Sequence, residues 1–221
     1  MLKILSKLDQ KRKKILASVL WISSLQYFIV QLLVSLSFSP SYSLSQNTIS
    51  DLGNSTCGMY LDKLVCSENY TAMNVSFILL GITMSIGSLL YIKQEGQSKK
   101  DKIGFIGLFL SGLGTMLVGA FPENSISALH ILGAGIPFLI GNLSLVILSR
   151  SLKVDRLFKS YTLLLGLIAL VALSLFLTKQ YLGLGIGGME RIVAYPQTIW
   201  LISYSIYNLR IKGLKQDHHS S

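Results

Sequence analysis

Six stretches of the chain are apolar almost without interruption: residues 15–37, 73–92, 103–121, 129–149, 161–178 and 193–209. Each falls within the roughly 17–25 residues that a helix uses to cross a hydrocarbon core about 30 Å thick. Charged and polar residues gather in the connections, of which 38–72 is by far the longest. The pattern predicts an all-α bundle of six transmembrane helices, built as a single membrane domain over residues 1–221. The first stretch is longer than a signal-peptide core and no small-residue cleavage pattern closes it, so a retained helix is expected there.

Composition agrees with the pattern. With 51% hydrophobic and 14% charged residues, the chain has too few polar groups to coat a soluble domain of 221 residues. Charge then sets an orientation. Of the 20 Lys and Arg, 17 lie before helix 1, between helices 2 and 3, between helices 4 and 5, or after helix 6, leaving Lys63, Lys179 and Arg191 on the other side. The positive-inside rule predicts both termini in the cytoplasm and a multi-pass protein of the cell membrane. No aromatic-interleaved basic module accompanies the net charge of +10. The excess is therefore read as a topology signal and an attraction to anionic membrane lipids, with no nucleic-acid partner.

In this orientation residues 38–72 form the main extracytoplasmic loop and hold the only two cysteines, Cys57 and Cys66, which are expected to form a disulfide. Two free thiols or a metal pair is the weaker reading, because no further Cys or His lies nearby to complete a site. Asn-x-Ser/Thr triplets begin at Asn54, Asn69 and Asn74; Asn54 and Asn69 are candidate glycosylation sites, while Asn74 falls too near the membrane. Gly107, Ser111, Thr115 and Gly119 recur every four residues in the third stretch, and Gly133, Pro137 and Gly141 in the fourth. Such small-residue faces let helix backbones approach closely, within the chain or between copies in a homo- or hetero-oligomer. Pro137 is expected to bend its helix, and Asn142 to act as an interhelical hydrogen-bond donor.

The candidate chemistry lies on the extracytoplasmic side. Ser50 and Asp51 in "NTISDLG", Glu123 in "FPENS", His130, and Glu190 and Arg191 in "GIGGMERIVAYP" share that face, whereas Asp62, Lys63 and Glu68 belong to the solvated cysteine loop and Lys179 to a helix end. Charges at a membrane boundary are costly unless paired. Arg191 is thus expected to meet Asp51, or failing that Glu123, and Glu190 to face His130 or the loop backbone. Two readings stay open: a structural latch tying loops over the bundle, and a ligand pocket.

"NTISDLG", "GAFPEN", "LHILGAGIPF" and "GGMERIVAYPQTIW" resemble, in order and spacing, the membrane family known as domain of unknown function 998, over nearly the whole chain. The resemblance implies a six-helix membrane protein, distantly similar to the Frag1/DRAM/Sfk1 group associated with lipid handling, and it draws Tyr195 into the polar cluster. It carries no established activity. The first function class is a lipid- or partner-binding membrane component, with Arg191 near a headgroup phosphate. The alternative is a membrane-embedded hydrolase or transferase acting on a lipid headgroup, with Asp51 or Glu123 and His130 as general acid and base. A zinc hydrolase would want about three protein ligands, yet His218 and His219 sit in the C-terminal tail. No metal or cofactor is expected. A small-solute transporter is the third class, disfavoured because the helix centres carry no acids and no inverted repeat is evident.

Overall fold

A computed structural model describes residues 9–60 and 62–217, with side chains up to residue 210. Lys3, Lys7, His218 and His219 lie outside the described residues. The helices are α1 (Gln10–Ile22), α2 (Gln26–Leu36), α3 (Tyr70–Ile92), α4 (Lys99–Ala120), α5 (Ser127–Gly135), α6 (Asn142–Ser151), α7 (Arg156–Leu177) and α8 (Gly185–Asp217). A 3-10 turn, Ser23–Leu25, joins α1 to α2, and a π-helical segment, Ile136–Gly141, joins α5 to α6. Counted in this way, Gln10–Leu36, Tyr70–Ile92, Lys99–Ala120, Ser127–Ser151 and Arg156–Leu177 are long and apolar enough to cross a membrane. α8 carries the sixth apolar stretch and packs against α1 and α7. The chain is an all-α membrane bundle.

Local chemistry explains where the helices begin. Asp9 caps α1 by accepting from the Arg12 amide at 2.7 Å, so the first helix starts well before the expected residue 15. Ser98 and Asp101 form a reciprocal capping box on α4, and Asp155 caps α7 at the Phe158 amide, 2.8 Å away. The largest departure from the expected boundaries is the last helix. It begins at Gly185 rather than 193, which places Glu190 and Arg191 in its opening turns and Pro196 inside it.

Two apolar clusters hold the bundle. One gathers aromatic rings around Trp21, with Tyr91 at 4.7 Å, Trp200 at 5.9 Å and Tyr204 at 6.1 Å between centroids. The polar edges of these rings are paired: Trp200 Nε1 donates to Thr162 Oγ1 at 2.9 Å, and Trp21 Nε1 to the Met84 carbonyl at 3.3 Å. The other cluster, around Tyr27, Phe77, Ile49 and Leu52, lies toward the end that carries the long connection. α3 and α4 approach closely where Gly81 faces Gly112, since a Cβ on either would collide with the other's carbonyl oxygen. Gly107, Ser111, Thr115 and Gly119 are all buried within the chain.

The long connection is structured. It contains a 3-10 turn, Ser50–Gly53, and an antiparallel hairpin of β1 (Gly58–Tyr60) and β2 (Lys63–Val65), closed by the Cys57–Cys66 disulfide. Asn54, a candidate glycosylation site, is 2% exposed in the folded chain. Its segment is pinned beneath the hairpin, where Asn74 Nδ2 donates to the Gly53 carbonyl at 2.8 Å. Asn69 is exposed and donates to Ser37 Oγ at 2.8 Å.

Candidate functional site

At the hairpin end, residues 42–53 lie across the opening turns of α8. The glycine run makes this possible. Gly185 has φ +71°, in the left-handed region, and Gly187 donates its amide to the Ser45 carbonyl at 2.9 Å. A Cβ at Gly187 would collide with the Asn47 carbonyl. One turn on, Arg191 Nη1 donates to the carbonyls of Leu44 at 3.0 Å, Asn47 at 3.0 Å and Gly187 at 2.8 Å. Its Nη2 donates to the Tyr42 hydroxyl, and its guanidinium carbon lies 5.4 Å from the centre of the Tyr42 ring.

Arg191 therefore meets neither Asp51 nor Glu123, contrary to expectation. Its amino nitrogens are spent instead on the strap of residues 42–47 and on the Gly187 carbonyl. Asp51 is served from elsewhere: its Oδ2 accepts from Asn47 Nδ2 at 3.0 Å, from the Thr48 amide at 2.9 Å and from Lys63 Nζ. Lys63, read from the sequence as a solvated loop residue, instead reaches in from the hairpin as the partner of Asp51. The Asp51 amide in turn donates to Thr48 Oγ1 at 3.1 Å, closing the turn on itself.

Asp51 Oδ1 and Glu123 Oε1 are both buried without a hydrogen-bond partner. Burial, with the Asp51 carboxylate beside it, pushes the Glu123 carboxyl well above the ordinary carboxylate range. Glu123 thus keeps its proton at neutral pH, and Lys63 supplies the charge that compensates Asp51.

Glu190, on the neighbouring face of α8, accepts the Ile49 amide at Oε2, and its Oε1 lies 3.4 Å from Ser50 Oγ. It faces loop backbone, one of its two expected partners. His130 lies 3.0 Å from Ser50 Oγ through Nε2 and 2.8 Å from the Phe121 carbonyl through Nδ1. Neither ring nitrogen is bonded to Asp51 or Glu123, so the expected acid and base pairing is replaced by a Ser50–His130 contact. Tyr195, one turn beyond Arg191, donates to Gln31 Oε1 at 2.8 Å and stacks edge-on against Phe28. It belongs to the packing beneath the cluster.

Below Ser50 and Glu190 a cavity of about 50 Å³ runs into the bundle, walled by Tyr27, Phe77, Leu80, Thr115, Pro137 and Gln197, among others. Its wall includes the π-helical segment. There Gln197 Nε2 donates to the Pro137 carbonyl, and Asn142 Nδ2 bridges the carbonyls of Phe138 at 2.9 Å and Val193 at 3.0 Å. Asn142 thus takes the interhelical role expected of it. Gln197 is 2% exposed, and its Oε1 has no partner.

Sequence reasoning missed Tyr42, Asn47, Lys63 and Gln197. Asn47 and Thr48 carried a usable signal, since Asn-Thr ahead of an acid three and four residues on favours a side-chain-closed turn. The other three are joined to the cluster by tertiary structure alone.

No curated protein and no solved structure matches the chain. A family profile described as "Protein of unknown function (DUF998)" matches residues 21–207. The match runs from the end of α1 into α8 and takes in the hairpin and every residue of the polar cluster, and the chain belongs to the DUF998 family.

Proposed function

We propose that the protein is a lipid-binding component of the cell membrane, crossing it six times with both termini in the cytoplasm and the cluster at the outer face. The ligand is an amphiphile whose neutral, hydrogen-bonding polar part enters the cavity while its chain stays in the bilayer. The observation that carries this reading is Gln197 Oε1, a buried acceptor without a partner in the wall of a mostly apolar cavity. A buried polar atom left unpaired costs about 1–3 kcal/mol, and a hydroxyl or amide donor from a ligand would recover it. A phosphate headgroup is disfavoured, because both amino nitrogens of Arg191 are engaged by the strap and the charged residue that lines the cavity is Glu190, a carboxyl.

Native mass spectrometry of protein extracted in mild detergent tests the reading. A retained lipid is expected on the unaltered chain and absent from Ala194→Phe, which fills the cavity wall, but present on Leu164→Phe, which alters an exposed face. A bare protein mass for the unaltered chain, or equal retention by all three, would overturn it.

A further inference from the structure

We infer that Ser50 and His130 form a nucleophile and general-base pair that transfers short acyl groups from esters; this rests on the lipid-binding reading, whose ligand then carries the ester.

The argument begins with protons. The Phe121 carbonyl can only accept, so the 2.8 Å contact fixes a proton on His130 Nδ1. In the neutral ring Nε2 is then an acceptor, and the group facing it at 3.0 Å is the Ser50 hydroxyl. Ser50 therefore donates to His130. Glu190 Oε1, at 3.4 Å, is the more distant acceptor. A hydroxyl donating to an imidazole whose other nitrogen is anchored is the arrangement that activates a serine, here with a backbone carbonyl in the orienting place usually held by a carboxylate.

The backbone around Ser50 is held on both sides. Glu190 takes the Ile49 amide, Asp51 takes the Thr48 amide, and Thr48 Oγ1 takes the Asp51 amide. A nucleophile so placed needs no reorganisation before attack. Ser50 also lines the cavity, which puts the residue beside space that a ligand can occupy. The size of that space selects the acyl group. At about 10–15 Å³ for each water-sized centre, 50 Å³ takes roughly three to five heavy atoms, the range from an acetyl to a butanoyl group, and not a long fatty chain.

In the first half-reaction Ser50 Oγ bonds to the acyl carbonyl carbon as its proton passes to His130 Nε2. Collapse of the tetrahedral adduct breaks the ester carbon–oxygen bond, and the proton on Nε2 goes to the departing alcohol. The second half-reaction runs the same route with water, or with a second alcohol, as the attacking oxygen. It gives His130 a proton, then returns that proton to Ser50 as the acyl–Ser50 bond breaks.

The test uses the full chain in detergent or lipid nanodiscs and a fluorophosphonate with a single ethoxy group on phosphorus, mapping the modified residue by peptide mass spectrometry. Modification of Ser50 is expected, with at least a tenfold slower rate in His130→Asn, which keeps a donor for the Phe121 carbonyl but cannot take a proton. p-Nitrophenyl butanoate should slow labelling of the unaltered chain, and p-nitrophenyl palmitate should not. An unmodified Ser50 in protein that still retains its lipid would overturn the acyl-transfer inference and leave the lipid-binding reading standing. Labelling that is equally fast in His130→Asn would overturn the pairing. A modified Ser50 in protein that retains no lipid would support the chemistry while removing the lipid.

Discussion

Arg191 holds the carbonyl oxygen of Asn47 at 3.0 Å, although 144 residues separate them. The bond is one of a fan from a single guanidinium that fastens the strap of residues 42–47 to the opening turns of α8. Planarity matters here, because carbonyls on one side and a tyrosine hydroxyl on the other are reached at once. Arg191→Lys keeps the charge and loses the fork. It should cost about 2–3 kcal/mol, the scale of a charged hydrogen bond lost with its acceptor left buried. Thermal unfolding in detergent measures this, and a melting temperature equal to that of the unaltered chain would remove the strap's energetic role.

Lys63 and Asp51 make a second prediction. Lys63→Met leaves a buried carboxylate without its cation, next to a second acid, and should destabilise the fold by about 3 kcal/mol or more. Adding Asp51→Asn removes the stranded charge, so the double variant should recover much of the loss. Strict additivity of the two single changes in a double-mutant cycle would show that the pair does not interact.

Glu123 gives the pH dependence. Unfolded, it titrates in the ordinary range near about 4.3; folded, burial beside Asp51 holds its proton up to about 9. A group whose folded pKa is raised contributes its full stability below the unfolded value and loses it as the pH climbs toward the folded one. The melting temperature should therefore fall between about pH 5 and about pH 9, and Glu123→Gln should flatten that slope. A Glu123→Gln profile parallel to the original would assign the slope to another group.

Orientation is open to direct measurement. Gln46→Cys and Glu95→Cys sit in exposed positions at opposite ends of the bundle, and the two native cysteines are bonded to each other. A membrane-impermeant maleimide on intact cells should label position 46 and spare position 95 until the membrane is opened. The reverse pattern would turn the cluster toward the cytoplasm.

The helices were legible because burial in a bilayer imposes length and composition over many residues, and averaging over such stretches tolerates local exceptions. The start of α8 was not. Gly185, Gly187 and Gly188 argue against helix in isolation, and only the strap lying on Gly185 and Gly187 makes the turn favourable. That Glu190 and Arg191 need separate partners could be read from the divergence of adjacent helical side chains. Arg191's partners could not, since a carbonyl oxygen has no identity in a sequence. Lys63 was misplaced because the hairpin that folds it back onto Asp51 is short, and Ser50 and His130 are brought together only by the packing of the long connection onto α5.

The contacts of Gly187 and Arg191 with Leu44, Ser45 and Asn47 are made to main-chain oxygens. Such a clasp reads the course of the chain and is indifferent to most of the letters written along it. Leu44 and Ser45 are thus free to drift, so that the outer surface of the strap can be re-lettered while the fastening beneath it stays the same. Gly187 has no such freedom, because any side chain there would stand where the strap's own backbone lies.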